Sequence, residues 1–162
     1  MSREPRPPLV AVEHLRALRS EHRAERLVLA TGCFDLLHAG HVLFLESAAA
    51  LGDFLVVGVN GDASVESIKG LGRPVVALAD RLDMVGAVRW VDAVFAFDET
   101  DASRWIRALQ PDYFATNEAS IREYPGELEA AHSVGCAVVA VDREGGPSTS
   151  AIVEALKREL RS

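Results

Sequence analysis

Five short apolar runs, rich in valine and lacking polar alternation, constrain this chain more than any other feature. They are Leu27–Ala30, Phe54–Val59, Ala93–Phe97, Tyr113–Ala115 and Ala137–Val141. A strand with water on one face alternates apolar and polar residues, so runs that do not alternate belong in a sheet covered on both sides. Between them lie amphipathic segments. His41–Leu51, Asp80–Val91, Ala102–Leu109, Glu127–Val134 and Thr149–Leu160 read as helices. A leading helix is expected within Val10–Glu25, where Val12, Leu15, Leu18 and Ala24 fall near helical spacing. Strand–helix alternation with short loops predicts an α/β fold, a doubly wound parallel five-stranded sheet with helices on both faces.

At 162 residues and 49% apolar composition the chain is long enough for one real core. The expected domain is 9–162, behind a disordered leader, 1–8, that carries three prolines and two arginines. Seventeen basic against twenty-four acidic residues give a net charge of -7, which argues against a general nucleic-acid or anionic-membrane partner. No run is long enough to span a bilayer and MSREPRPP is no signal peptide, so a cytoplasmic protein is expected. Cys33 and Cys136 stand alone, without the spacing of a zinc site or a disulfide framework.

In such sheets ligands bind beyond the carboxyl ends of the strands, near a switch in strand order. The first of those loops is TGCFDLLHAGH, Thr31 to His41. Gly32 lets backbone N–H groups approach a ligand, and Gly40 does the same at the positive end of the next helix. His38 and His41, three apart, share a face over one helical turn and suit phosphate oxygens and developing negative charge. Asp35 is placed to cap the helix, to orient a histidine or to hold a cation. A zinc pair is the competing reading, but His-x-x-His without a third soft ligand is a weak zinc signal. Trp90 and Trp105 read as core or subunit contacts, and His14, His22 and His132 as surface residues.

The segment resembles the GxFDxxHxGH signature of the cytidylyltransferase-like nucleotidyltransferases. Further motifs agree in order. Leu51–Asp62 looks like that family's second strand, and Ile68–Val75 (IKGLGRPV) resembles the KGxxRPV loop of the ADP-heptose synthase adenylyltransferase module. Ala79-Asp80-Arg81-Leu82 with Val91-Asp92-Ala93-Val94 matches a helix and strand, and Gly146–Ser150 (GPSTS) is similar to the GxSTT motif opening the last helix.

The resemblance implies a Rossmann-like fold and transfer of a nucleoside monophosphate, AMP from ATP in the heptose branch, to a phosphorylated sugar with release of pyrophosphate. It implies catalytic roles for His38, His41 and Lys69, with Lys69 on a mobile Gly-flanked loop. Nucleotide contacts fall to Thr31, Gly32, Cys33, Phe34, Asp35, Gly40, Asn117, Arg143, Ser148 and Thr149, and to Arg81, which either pairs structurally or touches phosphate. Asn60, Asp62, Arg73, Thr116 and Glu118 become substrate contacts, although a simple turn explains Asp62 and surface charge explains Arg73. Mg²⁺ is expected to arrive with the triphosphate, and a homodimer is expected, with the apolar Val85–Val91 stretch and Trp90 as its candidate interface. The sequence carries no sugar-kinase segment, so the acceptor is expected already phosphorylated.

The resemblance breaks at one loop. Where the heptose branch reads VKGGDY and the glycerol-phosphate branch VMGDDW, this chain has Ala115-Thr116-Asn117-Glu118-Ala119-Ser120. Losing a cation and gaining Glu118 changes what that edge can hold. Arg143 matches an arginine of the cytidylyltransferase branch, so CTP with a polyol phosphate such as glycerol 3-phosphate is the alternative. A catalytically degenerate nucleotide-binding protein is the third.

Overall fold

A computed structural model describes residues 9–141 and 149–159. The strands are β1 (Leu27–Gly32), β2 (Phe54–Asn60), β3 (Ala93–Phe97), β4 (Tyr113–Thr116) and β5 (Ala137–Ala140), in the spatial order β3-β2-β1-β4-β5. Every pairing is parallel, with Leu27 beside Phe54, Val56 beside Ala93, Val28 beside Tyr113 and Tyr113 beside Ala137. The doubly wound sheet expected from the apolar runs is present. Its order reverses at β1, which opens a crevice between the carboxyl ends of β1 and β4.

The helices are α1 (Leu15–Glu21), α2 (Ala39–Ala49), α3 (Asp62–Lys69), α4 (Leu78–Gly86), α5 (Ser103–Leu109), α6 (Glu118–Glu123), α7 (Pro125–Val134) and α8 (Thr149–Glu159). Period-two geometry sends alternate residues of β1 to opposite layers. Leu27 and Leu29 join a core with Leu15, Trp105, Ile106 and Ala130 from α1, α5 and α7. Val28 and Ala30 join a second core with Phe44, Leu45 and Val85 from α2 and α4. Both faces are therefore dry, which is why β1 needs no polar residue until Thr31.

The structure departs from the sequence reading at several boundaries. Val10 is not helical. Its N–H donates to the Val94 carbonyl at 2.8 Å, so the leading segment runs along the sheet edge before a 3₁₀ turn, Val12–His14, and α1. The Asp80–Val91 helix begins earlier, at Leu78, and stops at Gly86. Beyond it Val88 and Val91 fold back in successive turns onto the core. That stretch is thus largely consumed by packing instead of forming an outward apolar face. Asn60-Gly61-Asp62, expected as a turn, leads directly from the last residue of β2 into α3, with Gly61 at the N-cap and Asp62 in the first turn, where an acid favours the helix dipole. Trp105 is buried and donates to Glu99 at 3.0 Å. His22 is half-buried against Phe54, ring centroids 3.9 Å apart, rather than a free surface residue. The leader 1–8 lies outside the described residues, and among the described residues no helix is long and apolar enough to cross a membrane.

Candidate active site

The chain leaves β1 through Gly32 and turns sharply. Phe34 (φ 48°) and Leu36 (φ 54°) both take left-handed backbone angles, a costly state for side-chain-bearing residues that surrounding contacts must hold in place. Gly32 leaves room for the Phe34 ring, since a Cβ there would sit a tight 3.1 Å from it. The turn delivers the chain to His38, the N-cap of α2, whose carbonyl accepts from the His41 N–H at 2.9 Å. Gly40 is buried in the first turn. The His38 and His41 rings stack, centroids 3.9 Å apart at 22°, and Phe34 lies 5.4 Å from His41. Two buried imidazoles and the positive end of α2 therefore share one spot, suited to an anion.

Arg81 locks this turn from behind. It is fully buried and donates to the carbonyls of Cys33 at 2.6 Å, Asn60 at 2.7 Å and Val76 at 2.9 Å, and to the Asp62 carboxylate at 2.7 Å. Of the two roles expected for Arg81, the structure shows the pairing. Asp35 is tied to the KGLGRPV segment. It is 1% exposed and accepts from the Val75 and Val76 N–H groups at 2.9 and 3.0 Å, with Arg73 at 2.8 Å. Arg73 is thereby tied to the first loop, and the KGLGRPV segment is strapped across it.

In front of the turn lies a cleft of about 300 Å³. Thr31, Gly32, Cys33, Phe34, Asp35 and His41 line it from the first loop, Asn60 and Lys69 from β2 and α3, and Thr116 and Asn117 from the end of β4. Lys69 is the exposed last residue of α3, ended by Gly70 at φ 91°, so its backbone belongs to a helix and not to the expected mobile loop. Asn60 is buried and donates to Ser64 and to the Glu99 carbonyl. Asn117 caps α6, accepting from the Ser120 N–H at 3.0 Å. His38, Gly40, Arg73, Arg81, Asp62 and Glu118 do not line the cleft, and Glu118 is exposed beside Arg122. Arg143 and Ser148 fall outside the described residues; Thr149 begins α8. Burial pushes the Cys33 thiol above its ordinary range, so it stays protonated near neutrality and offers backbone, not a nucleophile.

Sequence reasoning missed the far wall, where Ser120, Glu123, Tyr124 and Glu127 from α6 and α7 face the cleft. Tyr124, pushed up to about 12 by burial and by the Glu123 carboxylate, remains a phenol. Glu127 is 6% exposed, accepts from the Ala102 N–H at 2.8 Å, and is raised to about 7 by burial and then by Asp101. An isolated Tyr-Pro-Gly-Glu at a helix start reads only as an N-terminal helix signal, so no motif pointed there.

A parallel sheet that reverses at β1, with a glycine turn and paired imidazoles at the reversal, defines a Rossmann-like domain built to take a phosphate-bearing ligand. A cytidylyltransferase-like family model matches residues 29–158, and the chain belongs to that family. The bifunctional protein HldE of Methylobacillus flagellatus is 42% identical over 135 residues, which are 83% of this chain and 28% of that protein. The chain thus spans under a third of this curated relative's length. The lipopolysaccharide core biosynthesis protein of Thermoplasma volcanium superposes with a TM-score of 0.60 at 26% identity, over 73% of this chain and 97% of that one. Pantothenate synthetase of Thermus thermophilus reaches 0.66 at 16% identity, over 94% and 70%, and shares the fold.

Proposed function

We propose that the chain is a nucleotidyltransferase that passes AMP from ATP to the phosphate of a phosphorylated sugar such as heptose 1-phosphate, releasing pyrophosphate. One observation carries this reading. The glycine turn after β1 and the stacked His38–His41 pair meet at the N-terminus of α2, at the point where the sheet order reverses. Membership of the cytidylyltransferase-like family and similarity to HldE support the reaction class and the sugar-phosphate acceptor.

The chemistry asks little of the protein beyond placement and charge. An acceptor phosphate oxygen is already a nucleophile at neutral pH. It attacks the α-phosphorus of the triphosphate, and the bond from that phosphorus to the bridging oxygen breaks, with the electron pair leaving on pyrophosphate. The Gly32–Phe34 backbone and the first turn of α2 hold the phosphates. His38 and His41 donate to oxygens whose charge grows, and Lys69 supplies positive charge from across the cleft. Among the described residues no three His, Cys, Asp or Glu side chains are arranged to hold a metal. Mg²⁺ arriving with the triphosphate would neutralise part of its charge. The same reading makes the protein a cytoplasmic homodimer.

The test is pyrophosphate release with ATP, CTP, UTP and GTP, each paired with heptose 1-phosphate and with glycerol 3-phosphate. ATP with heptose 1-phosphate is the pair expected to turn over. CTP with glycerol 3-phosphate would select the cytidylyltransferase branch, to which Arg143 corresponds. Tight nucleotide binding without release from any pair would mark a degenerate binding protein.

A further inference from the structure

The cleft has two unlike ends. One holds His41, Lys69 and the glycine turn after β1 and is suited to phosphate. The other is walled by Glu123 and Glu127, whose carboxyl groups suit hydroxyl partners better than phosphate. Glu127 is the buried member of that wall. Gly126 lets the N-terminus of α7 approach α5 closely, since a Cβ there would lie 3.2 Å from Ser103 Oγ. This approach brings Glu127 Oε1 to the Ala102 N–H just ahead of α5. Oε1 is thus engaged, no hydrogen bond is formed by Oε2 among the described residues, and Glu127 lines the cleft. A largely buried carboxyl group with one oxygen not bonded to protein is short of donors. A bound donor would supply one.

We propose that Glu127 is a specificity-determining residue whose Oε2 accepts a hydrogen bond from a sugar hydroxyl of a bound substrate. The proposal rests on the nucleotidyl-transfer reading for its substrates and adds what selects them. Two sources offer that hydroxyl, the ribose of the nucleotide and the sugar of the acceptor. Thr100, Ala102, Ser120 and Tyr124 line the same cleft as Glu127, so a substrate held there has a hydroxyl within its reach.

The informative variant is Glu127→Gln. Its carbonyl can keep the Ala102 N–H, while its NH₂ replaces Oε2, so a charged acceptor of the hydroxyl gives way to a neutral, weaker partner. Dissociation constants are measured calorimetrically for ATP, 2′-deoxy-ATP, 3′-deoxy-ATP, heptose 1-phosphate and its monodeoxy analogues, on both proteins. The expected result is that one deoxy analogue binds wild type about 10- to 100-fold more weakly than its parent. Glu127→Gln should lose part of that factor on the parent and nothing on that analogue. The substrate that shows this pattern identifies the source of the hydroxyl. Equal binding of every parent to both proteins, or losses that simply add for every analogue, would overturn the proposal. Wild-type crystals soaked with ATP and heptose 1-phosphate give a second check that needs no variant. A sugar oxygen on Glu127 Oε2 supports the proposal, and a water or nothing there opposes it. Binding without turnover would sink the transfer reading alone, and turnover unaffected by Glu127→Gln on all substrates would sink this proposal alone.

Discussion

The Arg81 guanidinium donates to the Cys33 carbonyl at 2.6 Å, so a fully buried cation on α4 holds the backbone of the turn that faces the cleft. It also holds the Asn60 and Val76 carbonyls and so joins three segments that are far apart in sequence. The planar guanidinium reaches several acceptors at fixed angles, which an ammonium does not. Replacing Arg81 with Met is expected to cost about 3–5 kcal/mol, because buried carbonyls lose their donors and Asp62 its partner. Arg81→Lys should recover only part of that. Urea unfolding of both variants checks the ordering, and a Met variant as stable as wild type would contradict it.

Asp35 tests the strap. Its carboxylate accepts from the Val75 and Val76 N–H groups and faces Arg73, pinning the segment that follows Lys69. With Asp35→Ala, hydrogen exchange at the Val75 and Val76 amides is expected to accelerate about 10- to 100-fold, while amides of β1 and β2 stay protected. KM for the triphosphate should rise more than kcat falls. Unchanged exchange at those two amides would remove the role.

Glu127 gives a pH signature. Burial raises its folded value to about 7, above the ordinary glutamate value of about 4.3, so the folded state holds the proton more tightly. Its stabilising contribution is full below pH 4 and is lost as pH rises through 7. Glu127→Gln removes the buried charge and keeps the Ala102 contact. Its stability relative to wild type should therefore improve by about 2–3 kcal/mol between pH 4.5 and pH 8. Denaturant midpoints at the two pH values measure this, and a difference independent of pH would refute it.

Gly58 tests the sheet without touching the site. A Cβ there would lie 2.8 Å from the Phe95 ring and 3.1 Å from that of Phe97. Gly58→Ala should cost about 1–3 kcal/mol through overpacking, with nucleotide affinity of the folded protein unchanged.

The sheet was legible because dry strands leave a plain mark: β1, β2 and β3 all fall within two residues of the apolar runs that forecast them. The first loop was legible for a different reason, since glycines and paired histidines at a strand end have few structural uses. Less visible was whatever depends on distant segments meeting. Asp35 was read from its neighbours in sequence, whereas its partners lie about forty positions away in the strap. Arg81 was left open between two roles that only its burial separates. Val10 carries helical spacing yet pairs with Val94, because an open sheet edge outweighs weak local preference. Glu127 left no signal at all. Its place in the cleft follows from the packing of α7 on α5, which no short motif encodes.

His41→Ala gives the most direct test of the anion cradle. The purified variant is compared with wild type for pyrophosphate release from ATP and heptose 1-phosphate, with thermal unfolding of both recorded alongside. Removing one aligned donor from the developing charge predicts a fall in kcat of at least about 100-fold in a protein that still folds. A folded His41→Ala protein that turns over at near wild-type rate would contradict the account.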